Sequence, residues 1–139
     1  MYNIIVATHG QMAAGMKQSL DFVMGMETDV KAICLDEEGI TKFAENAEKA
    51  VEELGEEELL VFVDFTFGSP FNEFSKLAAK CNGAYEILTG VNLPALVEAV
   101  SGQLQGLTLE EAIPQIRDAV KMGSFRELML EKEESDEDE

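Results

Sequence analysis

Apolar positions fall into two alternating patterns along the chain. Ile4-Ile5-Val6-Ala7 is a short continuous apolar run, the kind that fills a strand buried on both faces. A helical stretch follows from about Met12 to Met24, with Gly25 in the position just past a helix end. Val30 to Leu35 reads as a second strand. Ile40, Phe43, Ala47, Ala50, Val51 and Leu54 then recur at helical spacing, with Gly55 as the stop. The most hydrophobic strand is Leu59 to Val63, and Asp64 follows it directly. A loop, Phe65-Thr66-Phe67-Gly68, leads into Ser69-Pro70, which reads as a helix start with Ser69 as N-cap and Pro70 at the first helical position. That helix is expected to run to about Lys80. Ala84 to Leu88 is a fourth strand ending at Thr89-Gly90, and Asn92 caps a helix through Val100. Thr108, with Glu111 three residues later, has capping-box form and opens the last helix, which Pro114 should bend or shorten. Beyond Gly123, residues 125–130 fit either a helical turn or a short strand.

Strand followed by helix, four times over, predicts an α/β domain: a single, mostly parallel sheet with helices on both faces. Such sheets bind ligands at the carboxyl ends of their strands, near the point where strand order reverses. Three candidate segments fall in that class of position. His9 follows the first strand, Asp64 the third, and Gly90-Val91-Asn92 the fourth.

Length and charge narrow the function. At 139 residues and 46% hydrophobic, the chain suits one ordinary core. The 28 acidic residues against 10 basic ones give a net charge of −18. That balance opposes binding to nucleic acid, which needs clustered Lys and Arg, and to an anionic membrane surface. Glu131 to Glu139 holds −6 of that charge, so the reading is a domain over 1–130 and an acidic, disordered, solubilising tail over 131–139. No apolar run is long enough for a membrane span, and no basic leader precedes Tyr2-Asn3-Ile4, so a cytoplasmic location is expected. Cys34 and Cys81 read as ordinary buried thiols, since two Cys and one His lack the fourth ligand of a zinc site. No metal or cofactor is expected.

His9 is the single histidine. An imidazole near neutral pH is partly unprotonated, and if one ring nitrogen is tied to a carboxylate the other presents a lone pair for attack. Asp64, at the end of an apolar strand, is the candidate for that carboxylate. Gly68 and Ser69 open a helix whose free N–H groups would favour an anion such as a phosphoryl group. The glycine-rich signatures of nucleotide binding are absent.

Ala7-Thr8-His9-Gly10, Val63-Asp64 with Gly68-Ser69-Pro70-Phe71-Asn72, and Gly90-Val91-Asn92-Leu93-Pro94 together resemble the mannose-family IIA domain of the bacterial phosphoenolpyruvate:sugar phosphotransferase system. The resemblance spans about residues 1–130. It implies that His9 is the phosphorylated histidine, that Asp64 is its hydrogen-bonding partner, and that Gly68 and Ser69 contact the phosphoryl group, with Thr8, Gly10 and Asn92 as further loop contacts. It also implies a phosphotransferase that takes its phosphoryl group from the phosphocarrier HPr and passes it to a IIB domain, and through IIB associates with a membrane permease complex. Members of the family are homodimers in which a C-terminal strand crosses to the partner's sheet, and residues 125–130 stand in the corresponding place. One departure is Phe67, where the family's loop carries a glycine before Gly68; a glycine there serves positive φ or close approach to phosphate.

Two other readings share the fold. One is a non-catalytic regulatory or interaction module, and the other is the phosphotransfer subunit that serves dihydroxyacetone kinase, whose motifs match less closely. A receiver domain phosphorylated on Asp64 would need an acidic pair after the first strand, where this chain has Thr8-His9.

Overall fold

The computed structural model describes residues 1–137. Four strands, β1 (Tyr2–His9), β2 (Lys31–Leu35), β3 (Glu58–Val63) and β4 (Tyr85–Thr89), form one parallel sheet in the order β2-β1-β3-β4. The helices are α1 (Met12–Met24), α2 (Gly39–Leu54), α3 (Ser69–Leu77), α4 (Leu93–Leu104), α5 (Leu109–Asp118) and α6 (Phe125–Glu137). β1 and β3 are central and almost wholly buried, which explains their unbroken apolar runs.

The sheet separates two cores. On one face Tyr2, Ile4, Val6, Leu60 and Phe62 meet Leu20 of α1, Leu96 and Ala99 of α4, and Leu109 and Ile116 of α5. On the other, Ile5, Ala7, Leu59, Val61 and Val63 meet Phe43, Ala47 and Val51 of α2, and Phe74 of α3. Adjacent strand residues therefore face opposite cores, as a two-residue side-chain period requires. The Tyr2 hydroxyl donates to the Ala99 carbonyl while Gln103 Nε2 donates to the Tyr2 carbonyl at 2.8 Å, tying β1 to α4 in the interior. Chain direction places β2 and β3 on either side of β1, so the switch in strand order lies between the ends of β1 and β3.

Several boundaries differ from the sequence pattern. α3 has Gly68 as its N-cap, with no side-chain capping bond, so Ser69 is its first helical residue. α3 ends at Leu77, and a 3-10 turn over Ala78–Lys80 completes the stretch. The Thr108–Glu111 capping box forms in both directions, and α5 continues through Pro114 to Asp118. Cys34 and Cys81 are half-buried free thiols rather than fully buried ones.

The C-terminus resolves the alternative left open by the sequence. Of helix and strand, residues 125–130 form the helix, and among the described residues the sheet is wholly parallel. The reason is local: Ser124 precedes the helix, its carbonyl accepts from the Leu128 N–H at 2.9 Å, and its hydroxyl lies 3.5 Å from the Glu127 nitrogen. Ser-x-x-Glu is a helix-start signature, and Arg, Glu, Leu, Met and Lys are strong helix formers. The acidic residues 131–137 continue this helix, which contains no buried residue; 138–139 of the expected tail lie outside the described residues.

Candidate active site

β1 and β3 deliver the two central groups. In register, Ala7 lies beside Val63, so the next residues of each strand, ending in His9 and Asp64, emerge together at the carboxyl edge. Asp64 then takes over the hydrogen bonding that the sheet no longer supplies. Its Oδ2 accepts from the His9 backbone N–H at 3.0 Å and lies 2.8 Å from His9 Nδ1, while its Oδ1 accepts from the Phe65 N–H at 3.0 Å. The Asp64 backbone is clamped in turn from β4, since the Gly90 N–H donates to its carbonyl at 3.1 Å. A carboxylate fixed by three donors leaves the imidazole one favoured tautomer, with hydrogen on Nδ1 and a lone pair on Nε2.

The electrostatics agree with that geometry. Desolvation alone would raise the Asp64 carboxyl, but the bonds from the His9 backbone and imidazole and from Phe65 outweigh it and hold the group below the usual carboxylate range. Asp64 is therefore an anion at neutral pH. Its side chain is 11% exposed, against 44% for His9, so the charge is shielded while the imidazole stands open at the surface.

The other sequence candidates divide. Gly68 comes against the imidazole itself: a Cβ at Gly68 would lie 3.1 Å from His9 Cε1. Ser69 is exposed in the first turn of α3, where Pro70 has no N–H to offer. Gly10 holds φ 63° in the turn after β1, and its N–H donates to the Leu35 carbonyl at 2.7 Å. Thr8 is buried, with its hydroxyl accepting from the Ala13 N–H at 2.7 Å at the start of α1. Asn92 caps α4, its Oδ1 accepting from the Ala95 N–H at 2.9 Å. In the structure Thr8 and Asn92 thus set the helices that follow β1 and β4. Among the described residues no group of three or more His, Cys, Asp or Glu side chains is placed to hold a metal ion.

Sequence reasoning missed Phe65. Its ring packs edge-on to the imidazole, centroids 5.7 Å apart and planes at 67°. An aromatic residue immediately after the anchoring aspartate was the available signal. Phe67, the departure from the family pattern, is the one non-glycine residue with positive φ (62°) among the described residues. The residue is 76% exposed, and its ring leans on Phe71, centroids 5.3 Å apart.

A parallel α/β sheet that ends in an aspartate-anchored, solvent-facing histidine defines a class: small parallel α/β domains with an exposed imidazole at the carboxyl edge of the sheet. The comparisons narrow the class. The profile of the family described as "PTS system fructose IIA component" matches residues 3–117. The fructose-specific EIIA component of Bacillus subtilis (strain 168) is 29% identical over 128 residues, covering 91% of this chain and 86% of its own length. The sorbose-specific EIIA component of Klebsiella pneumoniae is 34% identical over 104 residues, covering 74% and 76% respectively. A crystal structure of phosphotransferase system component EIIA from Streptococcus agalactiae superimposes with a TM-score of 0.76 at 25% identity, covering 86% of this chain and 92% of that one. The chain belongs to the IIA family of the sugar phosphotransferase system, whose members are phosphotransfer proteins. No helix among the described residues is long and apolar enough to cross a membrane.

Proposed function

We propose that the protein is a phosphohistidine carrier that accepts a phosphoryl group on Nε2 of His9 from HPr and passes it to a IIB domain during sugar uptake. The observation that carries this reading is the 2.8 Å contact between His9 Nδ1 and Asp64 Oδ2, which engages one ring nitrogen and leaves Nε2 outside it on an exposed imidazole. In the forward step the Nε2 lone pair of neutral His9 forms the bond to phosphorus as the N–P bond of the donor imidazole breaks. The donor ring regains its lone pair and becomes neutral, while the His9 ring, still carrying hydrogen on Nδ1, becomes cationic beside the Asp64 carboxylate. Transfer between two imidazoles is close to balanced, so the domain's contribution is positioning and charge stabilisation. Delivery to IIB is the same step in reverse with a new acceptor.

The surroundings suit a protein partner rather than a small molecule, which a concave pocket would enclose. Phe65, exposed, packs edge-on to the imidazole, and Met12 and Phe67 are exposed on the segments that follow β1 and β3; the acidic body would steer a basic partner. The same reading includes a cytoplasmic location, coupling to a membrane permease through IIB, and a homodimer. For the dimer, the supporting features are the open edge of β4 and the exposed Phe125, Leu128 and Met129 on one side of α6. The test is transfer itself: the chain with catalytic amounts of enzyme I and HPr should take up one phosphoryl group from phosphoenolpyruvate and surrender it to IIB. Uptake without surrender to any IIB would favour the dihydroxyacetone kinase branch, and no uptake the interaction module.

A further inference from the structure

Glycine at position 68 is not demanded by the backbone. Its φ of −75° and ψ of 173° are open to any residue. Its N–H already leans on the Phe65 carbonyl at 3.5 Å, and its carbonyl accepts from the Asn72 N–H at 2.9 Å, so the peptide is tied into the loop and the first turn of α3. What distinguishes the position is the space in front of it. A Cβ there would stand 3.1 Å from His9 Cε1, 3.3 Å from Phe65 Cβ and 3.7 Å from the Phe65 carbonyl oxygen, closer to the ring by a few tenths of an ångström than ordinary carbon contacts.

We propose that Gly68 is a positioning residue: its missing side chain is the slot in which the His9 imidazole sits, held at Nδ1 by Asp64 and bounded by the ring of Phe65. The inference rests on His9 being the phosphoryl acceptor. Cε1 is the ring carbon bonded to both nitrogens, so pressure on it moves both. With Nδ1 tethered at 2.8 Å to Asp64 Oδ2, the ring can yield only by loosening that bond or by swinging Nε2 off its line of attack. Phe65, edge-on at 5.7 Å, limits the swing on its own side. Aligned attack is sensitive to such shifts, since a misplacement of about 1 Å costs roughly a hundredfold in rate.

Gly68→Ala tests this in the full chain. With phosphorylated HPr as donor, transfer to His9 should slow roughly tenfold, in proportion to a displacement of a few tenths of an ångström. The ¹⁵N resonances of the unphosphorylated imidazole should at the same time move away from the Nδ1–H pattern, a change that a merely structural glycine would not produce. Phe65→Ala, which leaves the backbone of the slot intact, should shift the same resonances by freeing the ring's other side. Unchanged transfer in Gly68→Ala overturns the proposal. So does slowed transfer with unmoved resonances in both variants, which would place the glycine's effect elsewhere than on the ring. The resonances need no donor: if the wild-type chain takes no phosphoryl group at all, the proposed function fails, and the spectra still judge the slot.

Discussion

Phe67 is the sharpest local conflict between residue type and backbone. A Cβ in the left-handed region costs about 1–2 kcal/mol, and bulky residues there are outliers. Phe67 sits at φ 62° and is mostly exposed, and its one aromatic contact is the edge of Phe71. Comparing Phe67→Ala with Phe67→Gly isolates the strain, because both remove the ring and only one keeps Cβ. At an ordinary loop position Ala would be the more stable by about 0.4–1 kcal/mol, since Gly gives the unfolded chain more freedom. Here the left-handed penalty on Ala exceeds that, so the order should invert, with Gly ahead by about 0.5–1 kcal/mol. Against wild type, Ala loses the Phe71 contact, worth about 0.5 kcal/mol at an exposed site, while Gly recovers the strain and ends level or slightly ahead. Urea unfolding by circular dichroism reads the difference as a shift in midpoint at equal slope. An alanine variant as stable as the glycine variant would show that the loop relaxes and that no strain is stored at Phe67. If the ring also serves the partner, Phe67→Gly should weaken transfer from HPr without lowering stability.

Other outcomes follow from particular contacts. Asp64→Asn should slow phosphotransfer at least a hundredfold, because the amide can donate to the imidazole and favour the wrong tautomer, while the urea midpoint moves far less; comparable rates in the two proteins would reject the orienting role. Because the Asp64 carboxyl is held below its ordinary range, its contribution to stability is complete above about pH 4 and is lost as pH falls through the folded value, so Asp64→Asn should flatten that part of the acid limb. Burial pushes the Tyr2 hydroxyl up to about 12, so wild-type stability should fall as pH rises from about 10 towards 12 as the unfolded chain ionises first; Tyr2→Phe should lose about 1 kcal/mol at neutral pH and show a shallower alkaline decline. Thr108→Ala should cost about 1 kcal/mol by removing the capping box of α5, and an unchanged urea midpoint would show the cap contributes nothing. Truncation after Met122 should convert the dimer to monomer by light scattering and leave the thermal midpoint of the isolated subunit nearly unchanged, because α6 buries no residue within its own subunit; a dimer that survives the truncation would show that α6 does not hold it.

The fold was largely legible because its two periodicities are clean. Unbroken apolar runs mark β1 and β3, and the i, i+4 and i+7 positions of α2 mark the face that packs on them. His9 and Asp64 were legible as chemistry because both stand at strand ends, where side chains leave the core. What was hidden depended on three-dimensional placement. No pattern tells that Gly68 rather than Ser69 ends up as the cap of α3, because a side chain and a bare backbone turn serve that position equally well. Phe65 looked like any loop aromatic, since only the folded structure brings its ring edge-on to the imidazole. Asn92, also named as a loop contact by resemblance, caps α4 as the sequence pattern suggested, whereas Thr8 has a local task at the start of α1 that the pattern did not reveal. The C-terminal segment stayed open between helix and strand because its apolar cluster fits both; Ser124 and Glu127, the pair that begins the helix, carried the deciding signal.

The central claim is that His9 carries the phosphoryl group, and stoichiometric labelling tests it most directly. Incubation with phosphoenolpyruvate, enzyme I and HPr should add one phosphoryl group to the wild-type chain, stable in base and lost in acid, and none to His9→Ala. A His9→Ala protein labelled as well as wild type, or an acid-stable, base-labile label on the wild-type chain, would contradict the account.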